Sequence, residues 1–148
     1  MDLPDNVISQ TIFIQGGAFY AQLTEQGDEY PRYYFVLNLN PQSDSLILLT
    51  SSTTRFSSHK NCPDADDVHI NLFKKDYPSL KVDCIVCCNR RLKDVSKTNL
   101  IKQLKSQKYK FLEQLPQDLL QKILTGIAKS KVIPPIHKKM ILPEENNI

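Results

Sequence analysis

The sequence has no Walker-type glycine loop and no dinucleotide fingerprint, so the two commonest ways of cradling a nucleotide phosphate are absent. No apolar run approaches the length that crosses a bilayer, and no membrane association is expected. The opening Met1-Asp2-Leu3-Pro4-Asp5-Asn6 is acidic, with neither the basic residues nor the apolar stretch of a secretory signal. A soluble cytoplasmic protein is therefore expected, its four cysteines (Cys62, Cys84, Cys87, Cys88) being thiols rather than disulfides. Histidine is scarce, and neither His69 nor His137 has sequence partners suggesting a Cys-His or Ser-His-Asp arrangement. There is no internal repeat and no low-complexity tract. What is present is 148 residues with 41% hydrophobic content, enough for one domain with a real core and too little for two ordinary ones.

The net charge of +3 conceals an asymmetry. Residues 1–70 carry three Lys/Arg against nine Asp/Glu, and residues 71–148 carry sixteen against seven, so the halves stand at −6 and +9. Such polarity suits an acidic or polyanionic partner for the second half, although a lysine-rich helix face in water also accounts for it.

Hydrophobic patterning divides the chain in the same sense. Thr11–Ile14 and Ala18–Leu23 read as strands, with Gly16 and Gly17 permitting a bend between them. Tyr33–Leu37 and Leu46–Leu49 are apolar on both pleat faces, as in strands buried on two sides, and Asn38–Ser45 supplies turn chemistry between them. His69–Leu72 and Lys81–Cys88 complete a β-rich region. Beyond Asn89 the period becomes helical: Ser96 can cap a helix bearing Leu100, Ile101 and Leu104. Pro116 can begin another with Leu119, Leu120, Ile123, Leu124 and Ile127 on one face, and a short piece follows Pro134-Pro135. The expectation is a mainly β protein with C-terminal helices (α+β), a single domain over 1–148. Residues 10–92 would form a small closed β-barrel, with a helical extension over 93–142 packed on it.

One constellation has chemical content. Strand pairing would bring Arg32 close to the hydroxyl run Thr50, Ser51, Ser52, Thr53, Thr54. Cleavage of RNA by its own 2′-hydroxyl passes through a doubly charged phosphorane, which needs cationic donors and groups that move protons. Arginine matches phosphate geometry and stays charged, and a Thr or Ser hydroxyl can donate to a phosphoryl oxygen. Tyr20 and Tyr33 could stack on bases, with Arg55, Lys102 and Lys105 on the phosphate backbone. The blander readings are a strand-edge charge at Arg32, strand-end capping by the hydroxyls, and core packing of the tyrosines.

The segments Gly17–Leu23, Arg32–Asn38 and Leu46–Ser52 resemble successive strands of the PemK/MazF-like toxin family, with Asp83–Asn89 and Ile127–Ser130 fitting a final strand and closing helix. The resemblance spans most of residues 16–133 and rests on strand order rather than on a diagnostic motif. It implies an SH3-like barrel acting as a homodimeric, metal-independent endoribonuclease of a toxin-antitoxin pair. Such an enzyme cuts single-stranded RNA, needs no cofactor and is inhibited by an antitoxin protein. Carried over, the active pair is Arg32 with Thr50, Ser51 or Ser52, the register leaving the choice open. Pro31 precedes Arg32 here, whereas in that family a proline usually follows the arginine.

Two other readings compete. A non-catalytic barrel would bind RNA or an acidic protein through its basic C-terminal half, with Lys102, Lys105 and Lys108 prominent. A zinc site would use His59, Cys62, Cys84 and Cys87. Against zinc, Cys84 and Cys87 would face opposite sides of an extended strand, and apolar packing suits them better.

Overall fold

A computed structural model describes residues 8, 10–53, 68–106 and 109–143. Its described elements are β1 (Ala18–Ala21), β2 (Arg32–Val36), β3 (Leu46–Thr53), β4 (His69–Leu72), β5 (Cys84–Cys87), β6 (Lys93–Ser96), α1 (Lys97–Ser106), β7 (Tyr109–Leu112), α2 (Gln117–Lys129) and α3 (Pro135–Ile141). The class is α+β, mainly antiparallel sheet with helices toward the C-terminus.

Alternate residues of the central strands enter two separate cores, which is why these strands are apolar at every position. Tyr33, Phe35 and Leu37 of the β2 segment and Leu48 of β3 join a core completed by Leu119, Leu120, Ile123, Leu124 and Ile127 of α2, by Ile141 of α3, and by residues of β4 and β5. Tyr34, Val36, Ile47 and Leu49 face the other way, against Leu100 and Leu104 of α1, Val95 of β6, and Ile8, Ile12 and Phe13. The apolar spacing read in α2 is borne out, since all five of its marked residues are buried. Ser96 also caps α1 as expected, its Oγ accepting the Asn99 N–H at 3.1 Å.

The sheet runs β4-β5-β3-β2-β1-β7, with β6 also paired to β3. Closure into a barrel, expected from the number of short strands, does not occur: among the described residues no ladder joins β4 to β7. With helices covering both faces of the central strands, burial is reached without curling the sheet onto itself. The expected division at residue 92 fails for a related reason. The supposed helical extension supplies two strands, β6 pairing Leu46–Leu49 of β3 and β7 pairing the whole of β1. Neither had a legible pattern. Lys93–Ser96 holds one buried residue, and Tyr109–Leu112 lies at the sheet edge with none.

Thr11–Ile14 is likewise no strand. The Ile12 N–H reaches the Ile8 carbonyl at 2.9 Å, a helical turn that tucks Ile12 and Phe13 under the second core. The chain then approaches itself so closely at Gly17 that a Cβ there would lie 1.9 Å from the Ile12 carbonyl oxygen. Only glycine fits.

The β2–β3 hairpin is held at its turn by Asn38, which is fully buried. Its Oδ1 accepts the Leu48 N–H at 2.7 Å, and its Nδ2 donates to Leu46 O and to Asp44 Oδ2, each at 2.8 Å. Asn38→Ala strands a buried backbone N–H and a carbonyl. It is expected to lower unfolding free energy by about 1–3 kcal/mol in urea titration; an unchanged midpoint would show that the turn holds without it.

Candidate functional site

The edge of β3 is shared between two strands. Leu46–Leu49 pair with β6, and Ser52 and Thr53 pair with β5, leaving Thr50 and Ser51 opposite the link that joins β5 to β6. That link carries Arg90 and Arg91, both exposed, and it opens a cleft of about 250 Å³ in the sheet. Thr50, Ser51 and Thr53 line the cleft from β3, Arg32 from β2, Lys93 from β6, Arg90 and Arg91 from the link, and Asp28 from the loop before β2.

Asp28 organises this lining. Thr24–Gln26 forms a single 3-10 turn that ends at Gly27 in the left-handed region (φ 88°), and the next residue drops inward. The Asp28 side chain is 1% exposed. Its Oδ2 accepts the Leu23 N–H at 2.8 Å and the Tyr34 hydroxyl at 2.5 Å. Its Oδ1 lies 3.0 Å from Lys93 Nζ, which also donates to the Tyr34 hydroxyl at 2.8 Å. Arg32 Nε stands 3.5 Å from the same Oδ1, and the guanidinium carbon lies 4.9 Å over the Tyr30 ring. The carboxylate thus accepts three hydrogen bonds and has Arg32 within ion-pair distance, so two cations gather around it at the cleft wall. Among the described residues, four cations against one buried carboxylate give the lining a formal charge of +3. A cavity of this sign and size, with hydroxyl donors at its floor, suits a phosphate group.

Of the residues singled out in the sequence, Arg32, Thr50, Ser51 and Thr53 meet in this cleft. Ser52 does not: strand alternation puts its side chain, like that of Thr50, on the face opposite Ser51 and Thr53, although Thr50 still borders the cleft. There it lines a neighbouring pocket of about 350 Å³ with Tyr20, Tyr30, Tyr33, Lys81 and Val82, together with Arg32 and Thr53. The tyrosines Tyr20 and Tyr33 meet there with ring centroids 4.7 Å apart. Lys102 and Lys105 project from α1 and line neither space. Arg55, His59, Cys62 and Lys108 lie outside the described residues.

The zinc reading loses a ligand. Cys87, which borders the cleft, is disulfide-bonded, whereas Cys84 and Cys88 are free and buried. Among the described residues no cluster of three or more His, Cys, Asp or Glu could hold a metal. The disulfide also corrects the expectation of four thiols. No helix among the described residues is long and apolar enough to cross a membrane.

Asp28, Arg90, Arg91 and Lys93 were not picked out from sequence. The Arg90-Arg91 pair directly after a strand was the available signal, masked by the many lysines farther on. No protein-family model and no curated protein matches the chain.

Burial, together with the hydrogen bond to Asp28 and that residue's charge, raises the Tyr34 hydroxyl well above the ordinary tyrosine value of 10.0. Tyr77 shifts the same way, chiefly through burial, and burial pushes the Cys88 thiol up to about 12. A group whose folded pKa is raised contributes stability that is complete below its unfolded pKa and is lost as pH climbs through the folded one. Urea midpoints should therefore hold through neutrality and fall from about pH 9–10 upward. Tyr34→Phe is expected to flatten part of that alkaline decline, and an unchanged slope would remove Tyr34 as a contributor.

Proposed function

We propose that the cleft binds the phosphate backbone of single-stranded RNA and cleaves it, as the likeness to PemK/MazF-like toxins implies. The observation that carries this reading is the meeting of Arg32 with Thr50, Ser51 and Thr53 in one cleft, beside Arg90, Arg91 and Lys93. In the reaction the 2′-oxygen attacks phosphorus and its proton leaves to solvent. The bond to the 5′-oxygen breaks as that oxygen takes up a proton, and a 2′,3′-cyclic phosphate remains. Negative charge grows on the phosphoryl oxygens, where fixed guanidinium and ammonium groups stabilise it most. Asp28 keeps Arg32 and Lys93 in place. Arg90 and Arg91, on the exposed link, can fork onto adjacent phosphates. Homodimerisation and inhibition by an antitoxin tail belong to the same proposal.

A specific observation favours a second reading, in which the cleft binds RNA without cutting it. Among the described residues the only carboxylate in the lining, Asp28, is already committed to Leu23, Tyr34, Lys93 and Arg32, and so is poorly placed to act as a base.

Purified protein incubated with mixed single-stranded RNA separates the two. Under the cleavage reading, products carry 2′,3′-cyclic phosphate ends, and Arg32→Ala lowers the rate by about 100-fold or more. Binding without products leaves only the second reading, and no binding at low salt removes both.

For binding itself, Arg91→Ala is expected to weaken affinity across RNA sequences alike. It should also reduce the slope of log affinity against log salt by about 0.7, the loss of one phosphate contact. A double Lys102→Ala, Lys105→Ala variant, altered outside the cleft, should leave the slope nearly unchanged. The opposite pattern would move the interface to α1.

A further inference from the structure

Arg32 and Thr53 line both the cationic cleft and the tyrosine pocket, so the two spaces adjoin across the end of the β2–β3 ladder. The pocket differs from the cleft in chemistry. Its walls include Tyr20, Tyr33, Pro31 and Val82, with the Lys81 ammonium 5.8 Å from the Tyr20 ring centroid. Tyr33 is fixed in position, since its hydroxyl accepts the Lys81 backbone N–H at 2.9 Å. At the inner end stands Ser52, 4% exposed, whose hydroxyl has among the described residues no partner but the weakly hydrogen-bonding Cys84 thiol. A buried hydroxyl with only a sulfur partner is weakly satisfied, and a ligand's polar edge can offer it a stronger one. The Cys84 thiol beside it is buried, and burial raises its pKa against the opposing pull of its hydrogen bond with Ser52.

A flat ligand with a π face and a polar rim meets all of these features at once. We infer that the pocket is a nucleobase subsite, in which the base next to a phosphate held in the cleft stacks on Tyr20 and is read at its edge by the Ser52 hydroxyl. This rests on the cleft being a phosphate site. Arg32, held by Asp28 on one side and lying over Tyr30 on the other, is the partition that sets base and phosphate at adjoining positions. Affinity then comes from stacking, which every base offers, and discrimination among bases comes from Ser52.

NMR titration of the full chain with inorganic phosphate, with uridine, and with each of the four nucleoside 3′-monophosphates tests this. At least one monophosphate should bind about tenfold or more tightly than inorganic phosphate, the gain expected from one stacked base. Tyr20→Leu should abolish the gain while leaving inorganic phosphate binding intact. Val82→Trp, at an exposed position on the pocket wall, should do the same by filling the space, which guards against loss of folding in the first variant. Ser52→Ala should change the ranking of the four bases by about three- to tenfold, one hydrogen bond's worth. Phosphate and all four monophosphates binding alike, or a gain that survives both Tyr20→Leu and Val82→Trp, overturns the subsite and leaves the cleft standing. Loss of inorganic phosphate binding altogether, with uridine still bound in a Tyr20-dependent way, overturns the cleft and leaves the pocket as a base site alone.

Discussion

The handover of one strand edge between two partners underlies the rest of the molecule. Eight residues of β3 are too many for β6 alone, and β5 takes up the ladder only at its far end. Where neither pairs, the backbone of Thr50 and Ser51 faces a loop instead of a strand. An interruption of this kind weakens a sheet, yet it also admits side chains to a level that continuous pairing would seal. The same division sends β5 and β4 into the core capped by α2, while β6 leads directly into α1 on the opposite face. One discontinuity thus creates both the cleft and the two-sided burial.

Placing positive charge beside such an opening creates repulsion among the cations, and a single buried carboxylate answers it. Asp28 would be costly to bury alone, because an ion removed from water must be repaid by partners. Here the Leu23 amide, the Tyr34 hydroxyl and two cations share that task, and in return Arg32 and Lys93 are held in place at the wall. The remaining arginines, on the β5–β6 link, are exposed.

How much of this was legible in the sequence follows from what each element buries. β2, β3 and α2 declared themselves because their periods are imposed by burial on two faces or on one helix face. β6 and β7 did not: Lys93–Ser96 and Tyr109–Leu112 owe their strand form to partners far away in the chain and present few apolar residues of their own. Barrel closure was a reasonable economy for bare strands, and it failed because helices cover the faces instead. At the site, Arg32 and the hydroxyls could be brought together by hairpin logic alone. The register then separated Ser52 from Ser51, as period-2 alternation requires. Asp28, Arg90, Arg91 and Lys93 were out of reach, since their convergence depends on the path of a loop.

The ladder between β1 and β7 has a consequence in time. Ala18 sits opposite Leu112 and Ala21 opposite Tyr109, so that side of β1 pairs with residues 88 to 94 positions away. Contacts of such separation are slow to form, because a long loop must close before they return any energy. On the ribosome β1 and β2 can pair early, but the outer edge of β1 stays open until residue 112 has emerged. During that interval the growing chain presents a sticky edge, and any chaperone that attends its synthesis has its clearest target there.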